Sequence, residues 1–232
     1  MEKTSYRRML DACRATQLAA ARIAQEPIGT AGIISSNWRK GLPVLSAKRV
    51  SLREPRASDA APLFAMLTSE EVSRFISPPP TTVDGFERFI GWTLRQRTAG
   101  SYACFAVTLQ GFDTAIGIFQ VRETEPGFST AEWGFAIGSP FWGTGVFQES
   151  AELVLRFVFD TLGVSRLEAR AVVSNGRGNG ALLKIGAVQE GILRKSFHRD
   201  GRIFDQVLYA VIDEDWRAAH DEPWSTVTAR IH

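Results

Sequence analysis

From Lys48 to Glu54 apolar and polar residues alternate, with Val50 and Leu52 on one side and Arg49, Ser51 and Arg53 on the other, which predicts a strand. Ser58 and Asp59 offer cap oxygens to a following helix that carries Leu63, Phe64 and Leu67. Ser77-Pro78-Pro79-Pro80 predicts a loop, because proline fixes φ and has no N–H to give. Thr82 or Asp84 can cap a second helix with Phe86, Phe89, Ile90 and Leu94 at helical spacing, ending near Gly100. Strands follow at Tyr102 to Leu109 and Ala115 to Glu123, joined by Gln110-Gly111-Phe112-Asp113, which has hairpin turn chemistry. A third strand, Thr130 to Ile137, sets Trp133, Phe135 and Ile137 against Glu132, Gly134 and Ala136.

After Gly138 the chain turns, and an amphipathic helix runs from about Gly145 to Leu162 with Val146, Ser150, Leu153, Val154, Phe157 and Val158 inward. Arg166 to Val173 reads as a strand and Arg177 to Ile185 as a short helix, with closing strands at Val188 to Arg194 and Phe204 to Ile212. Strands joined by a single crossover helix should be parallel, so the fold class is α/β, an α+β layering on a mixed sheet. Upstream, Ser5 to Glu26 is rich in Ala and Arg and reads as a helix. It resembles an organellar transit peptide, a reading weakened by Glu2, Asp11 and Glu26, so a plain N-terminal helix is preferred. Breakers from Pro27 to Pro43 make a linker. The predicted organisation is an N-terminal helical extension and linker over 1–45, one domain over 46–218, and a tail over 219–232.

Composition narrows the classes. The chain has 232 residues, 44% hydrophobic and 22% charged, which is enough for one well-buried domain plus an appendage. The net charge of +2 is scattered rather than gathered in a stripe, so nucleic acid is not an expected partner. Cys13 and Cys104 form neither a disulfide framework nor, with histidine, a metal-ligand spacing, so no metal is expected and a reducing cytoplasm fits best. No run approaches the roughly 18 apolar residues of a membrane span, so no membrane partner is expected.

The turn Ser139-Pro140-Phe141-Trp142-Gly143-Thr144-Gly145 lies between a strand end and a helix start. Glycines there let a backbone approach an anion, with unpaired N–H groups and the positive helix end aimed at it, as a pyrophosphate requires. Glycines near a helix start also arise for ordinary packing. The spacing matches neither the dinucleotide fingerprint nor the P-loop.

Taken in order, Ala131-Glu132-Trp133-Gly134-Phe135, Phe141 to Gly145, Asn175-Gly176-Arg177-Gly178-Asn179, Lys184 to Gly191, Gly201 to Asp205 and Tyr209 resemble the GNAT acetyltransferase superfamily. Within it they are most similar to the branch containing the ribosomal-protein alanine N-acetyltransferases. The resemblance spans about Lys48 to Arg217. It implies a mixed, mostly antiparallel sheet flanked by helices, with acetyl-CoA as co-substrate and a primary amine (a protein N-terminus or a small molecule) as acceptor. It leaves a homodimer open. By the same resemblance, Gly143 and Gly145 hold the pyrophosphate, with Trp142, Thr144, Val146 and Phe147 lining the turn. Ala136, Ile137 and Gly138 pair with the pantetheine arm as an added strand would. Asn175 contacts the pantetheine or cysteamine region, and Asn179, one turn on, also reaches it. Pro140 stands where many members carry Gln or Arg, and Gly178 where close relatives tend to have Ser as a candidate acid.

Direct transfer needs a neutral amine, hence a proton acceptor. Glu132 is the first candidate, beside the strand that would hold the thioester; its alternative role is a carboxylate paired with Arg. His198 is the second, on the value of its titration range, with a plain surface histidine as the alternative. Arg74, Arg95 and Arg97 read as solvated. The predicted function is acetyl transfer from acetyl-CoA to a primary amine in a ternary complex. The alternatives are an aminoglycoside or other antibiotic acetyltransferase, and a non-catalytic acyl-CoA-binding module.

Overall fold

A computed structural model describes residues 37–221. The N-terminal helix and most of the linker predicted before Asn37, and the tail beyond residue 221, lie outside the described residues. The strands are β1 (Leu45–Ser46), β2 (Val50–Arg53), β3 (Tyr102–Leu109), β4 (Gly117–Glu123), β5 (Thr130–Ile137), β6 (Arg166–Val172), β7 (Val188–Arg199) and β8 (Arg202–Ile212). The helices are α1 (Ala60–Leu67), α2 (Glu70–Ser73), α3 (Val83–Ala99), α4 (Val146–Arg156), α5 (Gly176–Lys184) and α6 (Asp213–Asp221). The strands form one sheet in the order β1-β2-β3-β4-β5-β6-β8-β7. Every pairing is antiparallel except β5 with β6, which the crossover through α4 makes parallel. The mixed, mostly antiparallel sheet flanked by helices is the one expected.

Strand alternation sorts the core into two layers. Phe105, Phe119 and Phe135 face α4: Phe105 meets Phe157 edge-on at 5.0 Å, and Phe135 lies 4.6 Å from Phe147. Tyr102, Gln120, Glu132 and Gly134 occupy the other face by register, where α1 and α3 pack. Helix α3 starts as predicted, with Thr82 Oγ1 accepting from Gly85 N at 3.0 Å, and ends at left-handed Gly100. Trp38 reaches the core, edge-on to Phe128 at 5.7 Å.

Four local expectations fail for identifiable reasons. Asp59 does not cap α1; its carboxylate takes the buried Arg53 guanidinium at 2.7 and 2.8 Å and the Arg56 amide at 2.7 Å. Arg97 is not solvated, because it pairs with Glu54 and its side chain is 11% exposed. The closing hairpin is longer than predicted: β7 continues past Arg194 through an irregularity between Leu193 and Phe197, with Lys195 at φ 53° and its amide held by Asp205 Oδ1 at 2.8 Å. Helix α6 went unread, yet its Trp216 is buried against Phe159 at 5.3 Å. No helix among the described residues is long and apolar enough to cross a membrane.

Candidate functional site

The sheet parts along one seam. β5 and β6 pair only at Thr130↔Arg166, Ala131↔Leu167 and Glu132↔Glu168. Beyond those three rungs β5 stays with β4 as far as Ile137↔Gly117, while β6 stays with β8 as far as Val172↔Gln206. The separation opens a cleft of about 770 Å³ whose walls include Tyr102, Arg122, Glu132, Trp133, Arg170 and Asn175. Gly138 N donates to Ile116 O at 2.9 Å on the β4 side. Antiparallel alternation therefore turns the main-chain groups of Ala136 and Gly138 toward β4, and those of Phe135 and Ile137 toward the cleft. Of the three residues expected to pair with an extended ligand, Ile137 directs its main chain toward the gap, as Phe135 does, whereas Ala136 lines the cleft while its main chain pairs with β4. Trp142 Nε1 already donates to Ile137 O at 2.8 Å. Gly138 instead serves a close approach, since a Cβ there would lie 2.8 Å from Met66 Sδ.

The turn after β5 has the backbone an anion site needs. Gly143 and Gly145 have φ of 74° and 87°, the left-handed region that side chains disfavour. A Cβ on Gly145 would also stand 2.4 Å from Arg49 Nη1. Thr144 Oγ1 donates to Phe141 O at 2.6 Å and so closes the turn. The first backbone bond of α4 is Glu149 N to Gly145 O at 3.1 Å, and α4 has no side-chain cap. The amides of residues 143–148 consequently find no acceptor among the described residues. Val146 is buried and Phe147 packs on Phe135, so each has only its amide left to offer a ligand at the turn. Two cations flank the turn: Arg49, paired with Glu149 at 3.1 Å, and Arg177, whose guanidinium carbon lies 4.2 Å from the Trp142 ring centroid. Neither cation is legible as a neighbour of the turn from sequence, since each contact joins segments far apart in the chain.

Helix α5 begins on the opposite wall. Asn175 Oδ1 accepts from Gly178 N at 3.0 Å and caps the helix. A Cβ on Gly178 would lie 2.4 Å from Asn175 Nδ2, so the glycine makes room for the cap. Asn179, expected to reach a cofactor, is spent on the scaffold. Its Nδ2 faces Asn175 O, Val172 O and Val173 O at 2.9, 3.1 and 3.2 Å, and its Oδ1 accepts from the Tyr209 hydroxyl at 3.1 Å. Asn179 is a strut joining α5 to β6 and β8.

The two catalytic candidates separate. Glu132 is on the cleft wall, its side chain 19% exposed, with Oε2 held by Arg122 Nη2 at 2.8 Å and Arg170 Nη2 at 3.8 Å. Oε1 takes no partner among the described residues. The pairing with arginine and a place in the cleft thus coexist. His198 is exposed, sits opposite Ile203 in the β7–β8 hairpin, and is absent from the cleft walls; alternation turns inward its neighbour Phe197. Two cleft residues were missed. The Tyr102 hydroxyl donates to Gln120 Oε1, and burial pushes the phenol above its ordinary range, so it stays protonated. Trp133 is 3% exposed, and its indole N–H has no partner among the described residues.

Residues 49–188 match the family model described as an acetyltransferase (GNAT) domain. The chain is 26% identical to YoaA of Bacillus subtilis (strain 168), an N-acetyltransferase described as uncharacterised, over 73% of this chain and 97% of that protein. It is 28% identical to the ribosomal protein uS5-alanine N-acetyltransferase of Escherichia coli (strain K12), over 38% of this chain and 46% of that one. In fold it matches Mycobacterium smegmatis RimJ in complex with CoA-disulfide at a TM-score of 0.68 and 21% identity, over 77% of this chain and 90% of that chain. With the model matching more than half of the sequence, the chain belongs to the GNAT acetyltransferase family and is an acyltransferase.

Proposed function

We propose that the protein transfers an acetyl group from acetyl-CoA to a primary amine by direct attack, with both bound at once. The observation that carries this reading is the run of amides at residues 143–148 without acceptors, placed where the sheet parts. Such a row at a helix N-terminus suits a pyrophosphate, and the flanking cations Arg49 and Arg177 suit its charge. The cleft-facing main chain of Phe135 and Ile137 suits an extended amide-bearing arm. Acetyl-CoA, when bound, supplies the acyl thioester; the chain's own groups orient it and handle protons.

Glu132 is the proposed proton acceptor. Its Oε1 is available on the acceptor face of β5, while Arg122 fixes the carboxylate through Oε2. The proton leaves the amine toward Oε1, directly or through water. Gly178 offers no hydroxyl, so water serves the departing thiolate. Glu132→Gln keeps the hydrogen bond to Arg122 and removes the base. It should lower kcat on the order of a hundredfold while the KM for acetyl-CoA stays near the parent value. Full activity in that variant removes Glu132 from the role. CoA binding by calorimetry with no thiol release across a broad amine panel would instead establish a binding module.

A further inference from the structure

The acceptor side of the cleft carries a charge pattern that selects among amines. Glu132 lies between Arg122 and Arg170, and among the described residues these three are the charged ones on the cleft walls: two cations and one anion. A few residues away the arrangement reverses. Arg166 lies between Glu168 at 2.9 Å and Glu190, whose carboxyl it holds below the usual range by hydrogen bonding. That second group borders β6 and β7 outside the cleft, so the surplus of negative charge stays outside and the surplus cation stays within. Arg170 is that surplus. It makes no hydrogen bond among the described residues, its nearest anion is 3.8 Å away, and its side chain is 39% exposed. It stands on β6 two residues past Glu168, the last rung, on the same face as Glu132 by alternation. Phe75, Pro79, Phe86, Phe89 and Phe197 give the cleft an apolar stretch of wall, beside the uncharged polar Ser77, Ser196 and Gln206.

From this geometry we infer that the acceptor is a primary amine carrying a carboxylate close to the amine and an apolar body, and that Arg170 binds the carboxylate. The inference rests on the acetyl-transfer reading and names its substrate class. A guanidinium with open donors and a carboxylate make a paired, charge-assisted hydrogen bond. The same surplus cation raises the cost of a second or third ammonium in the cleft, which works against polycationic aminoglycosides. It also favours the neutral form of the attacking amine. The carboxylate has two sources, the α-carboxyl of a free amino acid or an acidic second residue in a peptide with a free amino terminus.

The test uses the full chain with acetyl-CoA and thiol release as the readout, over matched acceptors. L-phenylalanine is set against L-phenylalaninamide, a peptide beginning Ala-Asp against one beginning Ala-Asn, and kanamycin serves as the polycation. In at least one pair the acid should exceed its amide in kcat/KM by on the order of tenfold, and kanamycin should be the poorest acceptor. The pair that shows the preference identifies the source of the carboxylate. Arg170→Gln should bring that ratio to about one, and Arg170→Lys should restore part of it. A CoA-induced rise in melting temperature reports that each variant is folded. Amides equal to acids in both pairs, kanamycin as the preferred acceptor, or a ratio untouched by Arg170→Gln would overturn the inference while leaving acetyl transfer intact. No turnover with any acceptor despite the CoA-induced rise would end the transfer reading, and this inference with it.

Discussion

Helices α4 and α5 both start beside the parting of β5 and β6, and they treat their first amides in opposite ways. At α4 no side chain caps the helix, the capping residue is left-handed Gly145, and the amides of residues 143–148 stay without acceptors among the described residues. At α5 Asn175 closes the first turn through Gly178, and Asn179 pins the next turn to β6 and β8. Unsatisfied amides cost stability unless a partner arrives, so one helix start is left open, as the proposed pyrophosphate site requires, and the other is finished by its own side chains. A glycine serves each end for a different purpose. Gly145 supplies a backbone angle, and Gly178 supplies room for a neighbour.

This contrast can be broken from either side. The largest effect is expected from Gly145→Val, which puts a branched side chain at φ 87° and against Arg49. Strain of about 1–3 kcal/mol and a displaced turn should weaken CoA binding by roughly a hundredfold in calorimetry. Asn179→Ala removes the strut and leaves Tyr209 and nearby carbonyls unpaired. It should lower unfolding stability by about 2 kcal/mol in urea titration, with CoA affinity within roughly threefold of the parent. The reverse pattern, with affinity lost and stability kept, would return Asn179 to the ligand site. Asn175→Ala should cost about 1 kcal/mol as a lost cap. Gly178→Ser should cost up to about the same, because it acts by displacing Asn175; in the Asn175→Ala background the same change should be neutral or stabilising by about 0.5 kcal/mol. A Gly178→Ser cost that persists in that background would show that the glycine serves something other than the cap.

Sequence made the open helix start legible and the closed one only in part. The α4 turn is local: strand alternation, two glycines and an amphipathic helix follow one another within a few residues, so the backbone chemistry could be read from Ile137 to Phe147 directly. Asn179 shows the limit, because its four partners come from α5, the end of β6 and β8, and only folding collects them. Glu132 was placed correctly on its strand face. Arg122 and Arg170 were not tied to it, since the contact depends on sheet order and on where the parallel pairing stops. His198 lies one residue, half a strand period, from the inward Phe197 and so falls on the outer face, which its position past Arg194 alone could not tell. Helix α6 was not legible, because it is short and its anchor, Trp216 on Phe159, is a contact between segments far apart in the chain.

The three rungs from Thr130 to Glu132 are the whole β-ladder between two half-sheets, one of five strands and one of three. So short a ladder leaves the two panels few hydrogen bonds in common, and α4 crosses from one to the other. An extended ligand laid along Phe135 and Ile137 would lengthen the seam and stiffen the two panels into one plate. Amide exchange at Ala131 and Leu167 would then slow in step with occupancy of a turn a whole strand's length away.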